Sequence, residues 1–175
     1  MLESHGTMQR NSSTPIFLIV LVGALAFVWL TSRALPDVVA SHFVASGIAN
    51  GFMPRENYVR LMLLILVIVP VTMAYLPALS LNSPKARINL PNKEYWLAPI
   101  RRGETIRVLR AHMVRAATML LLFLSYVHWL VVRANMLKPP SLPSGWFIGG
   151  LIAFVLAMLV WSWLLIARFR KPPLR

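Results

Sequence analysis

The sequence contains no cysteine, which excludes disulfides, thiolate nucleophiles and iron–sulfur ligation. Acids are scarce: Glu3, Asp37, Glu56, Glu94 and Glu104 are the only ones, and all lie outside the long apolar runs. A proton-coupled pump or ion carrier normally needs an ionisable residue at membrane depth, and, Arg60 at the edge of the second run aside, those runs offer only His128. There is no Gly-x-Ser-x-Gly, P-loop or dinucleotide fingerprint, and neither His-x-x-x-His nor Glu-x-x-His occurs. Ser125 and Thr72 read as helix-packing hydroxyls rather than nucleophiles. The expectation is therefore a chain that is not an enzyme and holds no metal and no cofactor.

What the sequence does have is apolar length. Hydrophobic residues make up 58% of the 175 and charged residues only 13%, a balance foreign to soluble domains. The apolar residues form blocks of the length a bilayer demands. Four spans are expected, at about 15–32, 58–79, 116–132 and 146–167. In lipid each must be helical, because the backbone finds no other partner there. Pro70 predicts a kink in the second span. No Ala-x-Ala-like cleavage site follows the first, so it reads as a retained helix and not a signal peptide. The fold class is an all-α integral membrane protein with four transmembrane helices.

The formal net charge of +13 suggests nucleic acid until its distribution is read. Of the 18 Lys and Arg residues, one lies in the N-terminal tail, eight between Ser80 and Arg115, and four in the C-terminal tail; three lie between Ser32 and Arg60 and two between Arg133 and Gly145. Thirteen against five follows the positive-inside rule, and both termini are expected to be cytoplasmic. The partner implied is a bilayer with anionic headgroups on the cytoplasmic side, and no nucleic acid. The organisation is then a cytoplasmic tail at 1–14, a two-helix part at 15–79 with an outer loop at 33–57, and a basic cytoplasmic and interfacial segment at 80–115. Helices three and four follow at 116–167, and a basic cytoplasmic tail at 168–175. From Gly103 the interfacial segment turns helical and is expected to run unbroken into the third span.

Of the four histidines, His5 lies in a tail and His112 in the basic helix, where a solvated interfacial place is expected. His42 and His128 both fall near the outer boundary and could meet, but no third ligand is evident. Hydrogen bonding to backbone or to a headgroup is the simpler expectation for His128. Gly145, Gly149, Ala153 and Ala157 recur every fourth residue and form one stripe, suited to close helix packing. Packing within the chain is the preferred reading; a homodimer or a membrane-protein partner is the alternative. The outer loop, Leu35 to Gly51, combines a proline turn, His42 beside Phe43, and an Asn-Gly pair that predicts a tight reversal. His42 is either a binding group or a latch that holds the loop shut through a backbone carbonyl near Asn50-Gly51.

The pattern Leu-Pro-x-x-Val-Pro-x-His-Phe-x-x-x-Gly-x-x-Asp/Asn-Gly, directly after a first transmembrane helix, resembles domain of unknown function 1648. That domain also forms the N-terminal part of Sdp-type immunity proteins. Leu35, Pro36, Val39, His42, Phe43, Gly47, Asn50 and Gly51 match; Ala40 stands where the second proline is usual, and Asn50 where aspartate is common. The stretch Ile88 to Trp96, with Asn89, Pro91, Asn92, Tyr95 and Trp96, is similar to the cytoplasmic segment of longer members. The resemblance implies a multi-pass protein of the bacterial inner (plasma) membrane, in a family most of whose members have no assigned activity; recognition through the outer loop, related to immunity or signalling, is the first expectation. An accessory subunit of a larger membrane complex is the second expectation, and a transporter or channel component the third.

Overall fold

The computed structural model describes residues 13–81 and 88–170, without the side chains of Ala78 and Ser80. The expected tail up to residue 12, the loop at 82–87 and the tail from 171 lie outside the described residues.

The elements in chain order are α1 (Ser13–Thr31), a short 3₁₀ turn (Ser32–Ala34), β1 (Val38–Phe43), β2 (Ala49–Pro54), α2 (Arg55–Leu81), α3 (Lys93–Trp96), α4 (Pro99–Asn135) and α5 (Ser144–Arg170). Among the described residues four stretches are long and apolar enough to cross a membrane: Ser13–Ala34, Arg55–Pro77, Pro99–Asn135 and Ser144–Arg170. Their outward faces carry large apolar side chains, such as Ile19 at 72% exposure and Leu159 at 60%, an exterior suited to lipid rather than water.

The all-α expectation is corrected at one place. The outer loop folds as an antiparallel hairpin of β1 and β2, whose backbones pair from Val38 with Pro54 to Phe43 with Ala49 and whose first strand buries Val39 and Ala40. The second helix accordingly begins at Arg55, where the strand ends, rather than at Tyr58. The interfacial segment does run unbroken into the third span, as the single 37-residue helix α4.

Helices α1, α2 and α4 share a core of Phe17, Ala24, Val28, Met62, Leu66, Ala74, Val114, Ala117 and Leu121. The alanines among these let the backbones approach, the usual device where lipid supplies no hydrophobic drive. Helix α5 leans on α4. Phe123 and Phe154 stack with centroids 4.5 Å apart, and Tyr126 donates a 2.7 Å hydrogen bond to the carbonyl of Trp146. The expected small-residue stripe does not make this contact. Gly145, Gly149, Ala153 and Ala157 are all exposed, and nothing stands within 4 Å of a Cβ built at either glycine. The close approach belongs to Gly150, where a Cβ would fall 2.2 Å from Cε1 of Tyr126. Packing within the chain is thus not what the stripe does.

Candidate functional site

The hairpin closes one end of the helix bundle, where α1 and α4 finish and α2 and α5 start. Its base is tied by Arg55. The backbone N–H of Arg55 donates to Asp37 O at 2.8 Å, Nη1 donates to Leu35 O at 2.8 Å, and Nη2 pairs with the Asp37 carboxylate at 3.0 Å. Pro36 stands exposed between the 3₁₀ turn and β1. Below, Leu35, Val39, Tyr58, Val131 and Val132 form a second apolar cluster, with Phe43 packed against it.

The chain reverses at Ala45–Gly47, not at Asn50-Gly51. Gly47 adopts φ +86°, and its N–H donates to Val44 O at 2.8 Å. A side chain there would be strained and would meet Leu142 O at 2.3 Å. That proximity reflects a stitch: Leu142 N–H donates to Gly47 O at 2.8 Å, and Ile48 pairs with Ser141 across the α4–α5 connection. Asn50 and Gly51 instead lie within β2, with Gly51 opposite His42. The ladder is irregular on both sides of His42, which sets its ring beside Asn50. His42 Nδ1 donates to Asn50 Oδ1 at 2.5 Å, so the latch to a backbone carbonyl is replaced by a side-chain pair. The Nδ1–H tautomer leaves the lone pair on Nε2, the ring's other edge.

A cavity of about 370 Å³ opens beside this pair, between the hairpin, α4 and α5. Ser41, His42 and Ser144 are its polar edge; Val127, Leu130, Phe147 and Ile148 make its walls apolar. Asn135 ties the hairpin to α4: Ala40 N–H donates to Asn135 Oδ1 at 2.8 Å, and Asn135 Nδ2 donates to Ala40 O at 3.0 Å and Val131 O at 2.9 Å. Asn135 was not among the residues the sequence singled out. Its only signal was an amide at the end of an apolar run.

His42 and His128 do not share a ligand. His128 is fully buried among α1, α2 and α4, and its partners are side chains rather than backbone or headgroup. Thr31 Oγ1 donates to Phe27 O at 2.7 Å, so its oxygen accepts from His128 Nε2–H at 2.9 Å; Nδ1 then accepts from the Tyr58 hydroxyl at 2.9 Å. One neutral tautomer satisfies every bond, and the cluster locks three helices together. His112 is half-buried on α4, its Nδ1 donating to Val108 O at 3.2 Å, which corrects the solvated placement. Ser125 and Thr72 return their hydroxyls to Leu121 O and Ile68 O along their own helices. Among the described residues no group of three His, Asp or Glu could hold a metal ion.

At the opposite end, Asn92 and Trp96 clasp the last turn of α5. Asn92, at φ 51°, donates from Nδ2 to Arg170 O at 2.8 Å, and Trp96 Nε1 donates to Phe169 O at 2.9 Å. These bonds satisfy carbonyls that a helix end leaves without partners. Tyr95 lies edge-on to Trp96 with Arg101 4.0 Å above its ring; Asn89 is exposed and Pro91 half-buried before the clasp.

No protein-family model, curated protein or solved structure matches the chain.

Proposed function

We propose that this chain is a non-enzymatic, multi-pass protein of the bacterial inner membrane that recognises an amphipathic ligand through its hairpin. The observation that carries the reading is the cavity beside His42, large enough for a small ligand or the anchor of a larger one. Its walls suit an apolar group, and the Nε2 edge of His42 suits one hydrogen-bond donor. The motif of Pro36, His42, Phe43, Gly47, Asn50 and Gly51 resembles the domain found in immunity proteins, which favours a secreted peptide as the ligand. The distribution of Lys and Arg favours the hairpin on the outer face and both termini in the cytoplasm.

Native mass spectrometry of the chain extracted from its own membrane tests this. The wild type should carry a bound peptide or lipid that Ile148→Trp, which fills the cavity from an exposed position, excludes. An adduct retained equally by both would remove the cavity from the account.

A second reading, an accessory subunit of a larger complex, is favoured by α5. Its most apolar window buries no residue within the chain, and the stripe from Gly145 to Ala157 faces outward. A stoichiometric protein partner in the same spectra would favour it.

A further inference from the structure

We propose that the cleft between the end of α1 and the start of α2 binds the phosphate of a phospholipid headgroup. The cleft is open to the surface, offers about 570 Å³, and carries Arg33, Arg55 and Arg60 on its wall against one carboxylate, Glu56. Two of these arginines are engaged. Arg55 holds Leu35 O and the Asp37 carboxylate, and Arg60 Nη2 reaches Glu56 Oε2 at 3.2 Å. Arg33 is exposed and meets no carboxylate or carbonyl among the described residues, so its guanidinium is the cation left for an anion.

A second observation points the same way. Ser32 lines the cleft at 4% exposure, and its Oγ is buried without a hydrogen-bond partner. A buried hydroxyl left unpaired is costly, and an anion's oxygens would satisfy it. A hydroxyl and a guanidinium lining one cleft are a donor set suited to phosphate. The rest of the wall distinguishes a lipid from a soluble phosphate. Trp29, 57% exposed, and Val59 give the cleft an apolar side that an inorganic anion has no use for. The cleft also lies at the ends of two spanning helices, the depth at which headgroups and belt tryptophans meet.

Native mass spectrometry of the full chain in micelles tests the inference, with phosphatidylglycerol, diacylglycerol of the same acyl chains and sn-glycerol 3-phosphate as probes. The wild type should retain phosphatidylglycerol in preference to diacylglycerol. Arg33→Gln, at an exposed position, should weaken that retention about ten-fold, the worth of one charge-assisted contact. Ser32→Ala should weaken it in the same direction, with melting temperature checked for both variants. Equal retention of the two lipids, or retention indifferent to Arg33→Gln, would overturn the proposal. Arg33-dependent binding of glycerol phosphate without retention of phosphatidylglycerol would assign the cleft to a soluble phosphate and overturn the lipid.

Discussion

Gly51 leaves room for His42: a Cβ built on it would stand 2.8 Å from the Cβ of His42 on the paired strand. Nothing flexible lies between them, so a methyl group there must push one strand off the other. Gly51→Ala is expected to cost about 1–3 kcal/mol, the usual range for overpacking. It should also break the bond from His42 to Asn50, visible as a changed histidine resonance in the NMR spectrum. A spectrum and melting temperature like the wild type's would mean the strands do not meet as described.

Asn135 acts as a short third strand by pairing both ways with the backbone of Ala40, 95 residues distant. Asn135→Leu leaves a buried N–H and carbonyl unpaired, which costs about 1–3 kcal/mol. Ala40→Pro removes the N–H itself, although the resembled pattern carries proline there. Both variants should lower the melting temperature in detergent; the proline being neutral would place the hairpin differently on α4.

The two adjacent glycines of α5 should respond in opposite ways. Gly150→Ala drives a methyl into the ring of Tyr126 and is expected to destabilise by about 1–3 kcal/mol. Gly149→Leu points into open space and should leave the isolated chain's melting temperature unchanged. If Gly149→Leu is the damaging one, α5 is rotated from its described face or a partner covers the stripe.

Tyr58→Phe takes away the hydroxyl that His128 Nδ1 accepts. Hydrogen bonds between membrane helices are worth about 0.6–2 kcal/mol, and the loss should fall there. Nitrogen-15 NMR of labelled histidine should find His128 in the Nε2–H form in the wild type. The Nδ1–H form would reverse the direction of the network.

Cysteine placed at Ser46, exposed at the hairpin tip, is expected to label from outside intact cells. One placed at Asn89, exposed at the opposite end, should label only after permeabilisation. Labelling of the second in intact cells would overturn the orientation argued from charge.

The spans were legible from composition because the bilayer imposes one requirement on any chain that crosses it: an apolar run of fixed length with its backbone bonded internally. The unbroken α4 was legible for a similar reason, since helical periodicity is a local property of neighbouring residues. The hairpin was harder. Asn-Gly marks a favoured reversal, yet the chain turns at Gly47, because the turn is held by Leu142 and Ser141 from a connection nearly a hundred residues away. Spacing of small residues was visible along α5, but which side of that helix meets α4 depends on where Tyr126 and Phe123 stand. Sequence by itself therefore determined how many helices the chain offers a membrane and which residues populate the loop motif. Tertiary structure alone decided that His42 faces Asn50 over a cavity, that Asn135 holds Ala40, and that Gly150 is the glycine with no room. Those outcomes rest on pairings across distant segments, whose geometry no local propensity encodes.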